Sequence, residues 1–333
     1  MPGRMQALQV LSANGPFVVT DMAVPAPAAG QVLVKVLASG VNPLDLKIRA
    51  GAAAHAKQPL PAVLGLDMAG EVFAIGPEVN GFELADRVYG MTGGVAGQQG
   101  SLAEYQRVDA RLLAKAPANI SPRQAAAMPL VVITAWEGLV DRAKVSAGQK
   151  VLVQGGAGGV GHIVVQLAKA FGAEVFATAA AKDAAYIRSL GAVFIDYQTS
   201  TVAQMLAEHT DNQGFDIVYN TVGGSSLDQA FAAVKAYTGH VVSCLGWGSH
   251  SLAPLSFKAA TYSGVFTLLP LLTGEGRQHH GEILTRASAL TEQGLLTVRL
   301  DPQQFDFHQI EQAHDKVATA ANSGKVVVSV SHT

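Results

Sequence analysis

The sequence predicts an α/β protein of two domains, a mostly β domain and a doubly wound parallel sheet. Its 333 residues exceed the usual size of one compact domain, which favours two separate cores. Short apolar runs broken by Gly, Pro, Asn and Asp fill residues 7–113 and are typical of strands and turns. From about Ala125 onward, apolar strands alternate with amphipathic helices, as in a parallel sheet. This change of pattern places the domain boundary near Ser121-Pro122.

The first domain is expected to span residues 1–122 and to be completed by residues 296–333. The C-terminal part returns to a helix at 310–321 and a strand at 325–330, and both resemble the first domain more than the second. We therefore expect the C-terminus to fold back, so that residues 123–295 form the second domain.

The second domain contains a series of apolar runs of strand length separated by helical patterns. Their order suits a doubly wound fold, in which parallel strands are joined by helices that cover the sheet. The predicted strands are 150–154, 174–178, 193–196, 216–220, 240–244 and 264–268.

Charge and composition favour small-molecule partners. The 23 Lys and Arg against 25 Asp and Glu give a net charge of −2, which offers no electrostatic footprint for nucleic acid or an anionic membrane. The N-terminus lacks a sustained apolar region, and Pro129 interrupts the apolar stretch 125–136, so neither a signal peptide nor a membrane span is expected. A single cysteine, Cys244, cannot form an internal disulfide and is compatible with a reducing compartment. A cytoplasmic location is expected.

The strongest functional motif is a glycine-rich turn between a predicted strand and a predicted helix. The strand 151–153 runs into Gly156-Ala157-Gly158-Gly159-Val160-Gly161, after which apolar residues recur at helical spacing to Phe171. Glycine permits the tight turn, lets the backbone approach a pyrophosphate, and allows the helix to pack on the strand. Because the phosphates then meet the positive N-terminus of the helix, the motif predicts a dinucleotide-binding site.

The residues beyond the next strand favour NADPH over NADH. An NAD-preferring site places a carboxylate about 20 positions beyond the glycines, where it holds the ribose 2′-hydroxyl. Here the stretch reads Thr178-Ala179-Ala180-Ala181-Lys182, and no carboxylate stands before Asp183. Thr178 and Lys182 offer a hydroxyl and a positive charge to a 2′-phosphate, although Lys182 is equally suited to be a solvated residue at a helix start.

Further motifs occur in order along nearly the whole chain. They are Gln31-Val32-Leu33-Val34-Lys35-Val36, Gly40-Val41-Asn42-Pro43-Leu44-Asp45, Gly65-Leu66-Asp67-Met68-Ala69-Gly70, the segment from Pro129-Leu130 to Thr134-Ala135-Trp136, Phe215-Asp216-Ile217-Val218-Tyr219 and Gly324-Lys325-Val326-Val327. Together with the glycine turn, they make the chain resemble the quinone oxidoreductase (zeta-crystallin-like) and enone reductase branch of the medium-chain dehydrogenase/reductase superfamily. The resemblance implies a GroES-like catalytic domain, completed by the C-terminus, and a Rossmann domain between its two parts.

The resemblance also implies that no zinc is bound. Zinc-dependent relatives carry a Cys after the first GroES-like strand, a His-Glu pair in the Gly-x-x-x-x-Gly segment, and a four-cysteine lobe for a structural zinc. This chain has Val41-Asn42 and Leu66-Asp67 at those positions and has no such lobe. Without thiolate and imidazole ligands, a tetrahedral catalytic zinc site is not expected there.

By the same resemblance, cofactor contacts are expected outside the glycine turn. Asn42 and Thr134 would lie near the nicotinamide ribose, Tyr197 near the phosphate of the adenine ribose, and Leu245-Gly246 near the nicotinamide ring. Each has a local alternative: Asn42 as a turn residue before proline, Thr134 as a helix hydroxyl bonded to backbone, and Tyr197 as a partly buried aromatic at a strand end.

Lys47 is the candidate for proton chemistry. Many quinone reductases of the branch carry Tyr at this place, whereas chloroplast-type enone and alkenal reductases carry Lys in a similar Asn-Pro-x-Asp-x-Lys string. A lysine in a closed cleft can donate a hydrogen bond or a proton to a developing enolate oxygen. The alternative is an exposed helix lysine.

These features lead to one principal hypothesis and two alternatives. Without a metal to lower the pKa of an alcohol, hydride transfer to a quinone or an α,β-unsaturated carbonyl is the easier reaction, since positioning supplies much of the catalysis. We therefore predict an NADPH-dependent oxidoreductase that reduces a small-molecule quinone or enone without zinc. The alternatives are a zinc-type alcohol dehydrogenase relative and a non-catalytic NADPH-binding protein, crystallin-like or RNA-binding, but the charge balance gives little support to RNA.

A homodimer is expected from an apolar segment and from the resemblance. Residues 264–268 are predicted to form an edge strand of the parallel sheet, and a bare edge is usually paired or covered. Relatives in the branch dimerise through this region.

Overall fold

The computed structural model of the protein describes residues 3–330, and it divides into two compact units. Unit 1 comprises the described residues up to Leu130, the segment Leu268–Gly294, and the described residues from Val298 onward. Unit 2 comprises Val131–Thr267 and Leu295–Thr297. Within residues 3–330, no helix has the length and apolarity needed to cross a membrane.

Unit 1 is mostly β, as the sequence predicts. Elements are numbered in chain order through both units. The strands of unit 1 are β1 (Arg4–Val10), β2 (Phe17–Ala23), β3 (Gln31–Val41), β4 (Ala62–Val63), β5 (Asp67–Ile75), β6 (Arg87–Met91), β7 (Tyr105–Asp109), β8 (Leu113–Lys115), β15 (Phe305–Asp306) and β16 (Val326–Ser329). Its helices are α1 (Pro43–Arg49), α2 (Pro122–Ala126), α9 (Leu269–Thr273), α10 (Arg277–Glu292) and α11 (Ile310–Ala318), with 3₁₀ turns at Ala54–Ala56, Ala110–Leu112 and Phe307–Gln309.

The strands of unit 1 form two sheets, and β3 is central in the larger one. One sheet has the order β2-β1-β4, and the other has the order β15-β16-β3-β5-β6-β8, with β7 also paired to β3. The side chains of Val32, Leu33 and Val34 in β3 are fully buried. The C-terminal strand β16 pairs antiparallel with β3, Val326 opposite Val41, so the fold-back of the C-terminus is as predicted.

Unit 2 is a parallel sheet with helices. Its strands are β9 (Lys150–Gln154), β10 (Glu174–Ala179), β11 (Val193–Asp196), β12 (Ile217–Asn220), β13 (His240–Ser243) and β14 (Thr261–Gly264). Its helices are α4 (Gly161–Ala170), α5 (Ala184–Ser189), α6 (Val202–Thr210), α7 (Ser225–Ala233) and α8 (Ala253–Lys258), with a 3₁₀ turn at Ala181–Asp183. Helix α3 (Pro129–Trp136), which continues as a π-helix at Glu137–Arg142, contains the division between the units.

The strand order of unit 2 is β11-β10-β9-β12-β13-β14, and every pairing is parallel. Strand β9 lies between β10 and β12, so the order reverses beside it, and the carboxyl end of β9 is the usual ligand-binding place in such a sheet. Val151, Leu152 and Val153 are all buried because the sheet is covered on both faces, which explains their uninterrupted apolar run. The predicted fold class, a mostly β domain together with a doubly wound parallel-sheet domain, is confirmed.

Two expectations about the region after β13 need correction. The predicted strand 264–268 is wrong in its position along the chain. The strand β14 is Thr261–Gly264, and it pairs with His240–Ser243. Its last predicted residue, Leu268, is buried at the start of α9 instead. The segment Leu268–Gly294 also belongs to unit 1 rather than to the predicted domain 123–295, because α10 packs on β6 and β8.

Candidate active site

The glycine turn lies between β9 and α4, as the motif predicts. Gly155 has a φ of +79°, a backbone conformation that favours glycine. A Cβ atom on Gly161 would lie 2.1 Å from the carbonyl oxygen of Gly155, so the turn packs on the helix only with glycine there. Gly158 and Gly159 are exposed, and they place their backbone at the N-terminus of a ten-residue helix. This arrangement fits the pyrophosphate of a dinucleotide.

The residues predicted near the adenosine half lie after β10 and β11. Thr178 is buried, and its Oγ1 accepts a hydrogen bond from the backbone N–H of Gly155 at 3.2 Å. The carbonyl of Thr178 accepts from the N–H of Gly156 at 2.9 Å. Thr178 therefore supports the glycine turn, a role that the sequence did not reveal. Lys182 is exposed in the 3₁₀ turn after β10, and Tyr197 is 57% exposed directly after β11.

The residues predicted near the nicotinamide ring follow β13. The N–H of Leu245 donates to Ser243 Oγ at 3.1 Å, and Gly246 is exposed. The loop after β12 lies against this segment, because a Cβ on Gly223 would be 2.7 Å from the carbonyl oxygen of Leu245. Gly223 has a φ of +75°, so both its conformation and its surroundings require glycine.

Thr134 is buried in α3, where the helix approaches β12. Its carbonyl oxygen accepts a hydrogen bond from the hydroxyl of Tyr219 at 2.6 Å. Tyr219 is fully buried, and this burial raises its pKa well above the usual value. The phenol is therefore a neutral donor that anchors the backbone at Thr134.

Asn42 belongs to a buried polar cluster in unit 1 that also contains Asp45, Asp67 and Lys325. Asn42 precedes α1, and its backbone N–H donates to Asp45 Oδ2 at 2.8 Å. Its Nδ2 donates to Asp67 Oδ2 at 2.9 Å, and its Oδ1 accepts from Lys325 Nζ. The N–H of Leu130 donates to the other oxygen of Asp67 at 2.9 Å. The Asn42 side chain is thus oriented by a carboxylate and an ammonium.

Desolvation dominates the electrostatics of this cluster. Burial raises the pKa of Asp45 to about 7 and the pKa of Asp67 to about 6, although the Lys325 ammonium opposes both shifts. Burial also lowers the pKa of Lys325, against the attraction of the two carboxylates. Among residues 3–330, no hydrogen-bond partner faces Asp45 Oδ1. The sequence predicts Lys325 as the start of a strand and not as a member of this cluster. The only feature that pointed to it is a charged residue, in Gly324-Lys325-Val326, directly before an apolar strand.

We expect an Asp45→Asn variant to gain stability relative to the wild type as the pH rises from 4 to 7. The folded protein holds a proton on Asp45 up to a pKa of about 7, whereas the unfolded chain releases it near 3.8. Wild-type stability from this group is therefore present below pH 4 and is lost as the pH rises through 7. Urea unfolding of both proteins across this range should show a relative gain of at least about 1 kcal/mol.

An Asp86→Asn variant is the control for this pH dependence. The side chain of Asp86 pairs with Lys115 at 2.9 Å, and hydrogen bonding lowers its pKa. The stability of the wild type relative to Asp86→Asn should therefore increase as the pH rises. This trend is opposite to the one expected for Asp45→Asn. Equal behaviour of the two variants would contradict the assignment of a raised pKa to Asp45.

Lys47 lies in the last turn of α1 and is exposed. It is not part of the cluster around Asn42.

Beside α1 is a cavity of about 470 Å³, within the range of small-molecule sites. The cavity is mainly apolar and is lined by Ile48, Gly51, Ala53, Ala54, Lys57, Gln58 and Pro59.

At the positions where the sequence comparison above placed zinc ligands in zinc-dependent relatives, this chain has other residues. Val41 and Leu66 are buried apolar residues, while Asn42 and Asp67 bond to each other. In the part of the chain that the structure describes, no three His, Cys, Asp or Glu side chains are grouped to hold a metal.

Comparison with known proteins assigns the chain to a family. Residues 28–118 match the model for an alcohol dehydrogenase GroES-like domain, and residues 190–328 match the model for a zinc-binding dehydrogenase. The chain is 36% identical over 317 residues to a 2-methylene-furan-3-one reductase of Solanum lycopersicum, covering 93% of this chain and 74% of that protein. Identity and coverage are the same for the chloroplastic NADPH-dependent alkenal/one oxidoreductase of Arabidopsis thaliana.

Solved structures agree with this assignment. An alcohol dehydrogenase superfamily protein from Novosphingobium aromaticivorans has a TM-score of 0.96 and 57% identity, covering 98% of this chain and 100% of that chain. The quinone oxidoreductase from Coxiella burnetii has a TM-score of 0.83 and 29% identity, with the same coverage. The chain belongs to the medium-chain dehydrogenase/reductase superfamily, and its relatives there include enone reductases and quinone oxidoreductases.

Proposed function

We propose that this protein is an NADPH-dependent oxidoreductase that reduces a quinone or an α,β-unsaturated carbonyl without zinc. The observation that carries the proposal is the glycine turn after β9, which fits a dinucleotide, in a chain that is 36% identical to an NADPH-dependent alkenal/one oxidoreductase. Bound NADPH supplies a hydride to the electron-poor carbon of the acceptor. The protein contributes binding, orientation and a proton or hydrogen bond at the acceptor oxygen.

The residues of unit 2 would hold the cofactor from its phosphates to its ring. The backbone of the turn Gly156-Ala157-Gly158-Gly159-Val160-Gly161 would bind the pyrophosphate at the N-terminus of α4. Lys182 and Tyr197 are exposed where an adenine-ribose phosphate is expected, and Thr178 retains a hydroxyl hydrogen to donate. Thr134 and Leu245-Gly246 would contact the nicotinamide end. The contact of Asn42 with the nicotinamide ribose stays a prediction from the resemblance.

The preference for NADPH can be tested with Lys182→Asp. A carboxylate at this exposed position would repel the 2′-phosphate and accept hydrogen bonds from a ribose 2′-hydroxyl. We expect the ratio of kcat/KM for NADPH to that for NADH to fall by about tenfold or more. Lys169→Asp, which changes an exposed lysine of α4, should leave the ratio unchanged. An unchanged ratio in Lys182→Asp would show that the 2′-phosphate is bound elsewhere.

The acceptor is proposed to bind beside α1. The apolar lining of the cavity near Ile48 suits the carbon skeleton of an enone or quinone, and Lys57 and Gln58 provide polar groups. Lys47 is exposed on α1 and is not among the residues that line the cavity. We propose, from the resemblance, that its ammonium donates to the acceptor oxygen. Lys47→Met should then lower kcat on an enone and leave the affinity for NADPH unchanged. Wild-type turnover in this variant would exclude the role.

The experiment that tests the function is NADPH oxidation with matched acceptors. Each α,β-unsaturated ketone or aldehyde is paired with its saturated counterpart, and a set of quinones is added. We expect oxidation with the conjugated compounds and not with the saturated ones, because hydride addition to conjugated carbon needs no metal to polarise the carbonyl. Equal rates with saturated carbonyls would favour alcohol dehydrogenase chemistry. NADPH binding without oxidation by any acceptor would favour a non-catalytic protein.

A homodimer is proposed from the edge of the parallel sheet. Strand β14 is at the edge of the sheet, and Thr261, Tyr262 and Gly264 on it are exposed. Such an edge is normally paired or covered. Light scattering at micromolar concentration should give twice the chain mass. Gly264→Pro should lower it, because the N–H of Gly264 faces away from β13, whereas those of Thr261 and Val265 bond toward β13. A monomeric wild type would refute the dimer.

The cytoplasmic location remains a prediction, since the Arabidopsis relative is named as chloroplastic.

A further inference from the structure

The carboxyl ends of four neighbouring strands in unit 2 carry a row of buried polar side chains. Thr178 on β10 is the register partner of Gln154 on β9, Gln154 is the partner of Asn220 on β12, and Asn220 is the partner of Ser243 on β13. All four residues are at most 5% exposed. Burial of polar groups inside a covered sheet costs free energy unless their hydrogen bonds are satisfied.

Asn220 is the centre of this polar row. Its Nδ2 donates to Gln154 Oε1 at 2.7 Å and to Ser226 Oγ at 3.0 Å. Its Oδ1 accepts from the N–H of Gly223 at 2.8 Å and, over a longer 3.4 Å, from Ser243 Oγ. An amide side chain has two donor hydrogens and two acceptor lone pairs, so Asn220 uses its full hydrogen-bonding capacity within unit 2.

The polar row is bonded to the three loops that follow its strands. Thr178 Oγ1 accepts from Gly155 in the loop after β9, and Asn220 Oδ1 accepts from Gly223 in the loop after β12. Ser243 Oγ accepts from Leu245 in the loop after β13 at 3.1 Å. These loops lie at the carboxyl edge of the sheet, on both sides of the place where the strand order reverses.

We propose that Asn220 is a positioning residue that fixes the loops after β12 and β13 for the nicotinamide half of the cofactor. This inference rests on the proposed function, and it assigns to Asn220 no contact with the cofactor. Asn220 acts through Gly223 directly and through Ser243 on Leu245. A loop that is already fixed loses less conformational entropy when it binds a ligand. Thr178 has the corresponding role for the glycine turn.

The chain offers a matched control for the loss of a buried amide. Gln166 on α4 is also buried in unit 2, and its Nε2 donates to the carbonyls of His162 and Thr297, each at 2.9 Å. Its Oε1 accepts from the backbone N–H of Thr297 at 2.8 Å. Gln166→Ala and Asn220→Ala therefore both remove a satisfied amide, but only Asn220 bonds to the loops at the carboxyl edge.

The test compares two ligands that share the adenosine half. NADPH carries the nicotinamide half, whereas 2′,5′-ADP has only the adenosine with its 2′- and 5′-phosphates. Dissociation constants by titration calorimetry should show NADPH weakened about tenfold or more in Asn220→Ala, with 2′,5′-ADP within about twofold of the wild type. Gln166→Ala should leave the ratio of the two constants unchanged.

Ser243→Ala is a milder second variant, because it removes only the acceptor for Leu245 and the long contact to Asn220. It should shift the ratio in the same direction by a smaller factor, so the inference remains testable if Asn220→Ala does not fold. A ratio equal to that of the wild type in the folded variants would overturn the positioning role, as would an equal change in Gln166→Ala. If the wild type binds 2′,5′-ADP and NADPH with no detectable affinity, the proposed function fails, and the inference fails with it.

Discussion

Replacement of Lys325 by methionine is expected to reduce the free energy of unfolding by about 3 to 5 kcal/mol. Lys325 is buried, and its charge opposes the upward pKa shifts that burial causes in the carboxyl groups of Asp45 and Asp67. Removal of the ammonium leaves these carboxyl groups without compensation and deprives Asn42 Oδ1 of its donor. Urea unfolding at pH 8 measures the loss, which should be smaller at pH 5, where the carboxyl groups are protonated at low cost.

Lys115→Met is the control for this change in unit 1. Lys115 also forms an ion pair, with Asp86 at 2.9 Å, but its side chain is 57% exposed. An exposed pair contributes at most about 1 kcal/mol because water screens it. The double variant Lys325→Met, Asp67→Asn should recover part of the lost stability, since it removes one uncompensated carboxylate. Similar losses for Lys325→Met and Lys115→Met would contradict the buried-cluster interpretation.

The parallel strands were the easiest elements to predict from the sequence. The predicted strands 150–154 and 193–196 coincide with β9 and β11, and β12 differs by one residue. Strand β9 is buried on both faces and is therefore an unbroken apolar run, which ends where the chain becomes polar at the edge of the sheet. Strand β11 is at the edge of the sheet and is only partly buried. The residues of the polar row, such as Gln154 and Asn220, mark those ends. Their mutual register depends on the strand order, which no single run contains.

The segment 264–268 shows where this reasoning failed. It is as apolar as a strand, but strand formation is decided by pairing with β13, and the four residues in register with β13 are Thr261–Gly264. The apolar character of Leu268 reflects its burial at the start of α9. An apolar segment indicates that its residues are buried, but it does not show whether they are buried as a strand or as a helix.

The residues of the candidate site that are close together in the sequence could be predicted from it, whereas contacts between distant segments could not. The glycine turn is contained in six consecutive residues, so its conformation follows from the sequence. The cluster around Asn42 depends on Lys325, which lies 284 residues beyond Val41, whose carbonyl it faces. Pairing of β16 with β3 brings them together. A contact made by tertiary pairing leaves no local pattern beyond a charged residue next to an apolar strand.

Gly158→Ala is expected to weaken NADPH binding by about tenfold or more without changing thermal unfolding. A Cβ on Gly158 would meet only the carbonyl oxygen of Gly155, at 3.2 Å, so the unliganded turn accommodates it with a small shift. The added methyl would instead occupy the surface where the backbone approaches the pyrophosphate. Titration calorimetry measures the affinity, and differential scanning calorimetry measures the unfolding temperature.

Gly161→Ala separates this ligand effect from packing. Its Cβ would lie 2.1 Å from the carbonyl oxygen of Gly155, a distance that forces backbone atoms apart even without a ligand. This variant should therefore lose both thermal stability and NADPH affinity, whereas Gly158→Ala should lose affinity alone. If Gly158→Ala binds NADPH as the wild type does, the pyrophosphate does not lie on the turn, and the glycines serve only to pack α4 against β9.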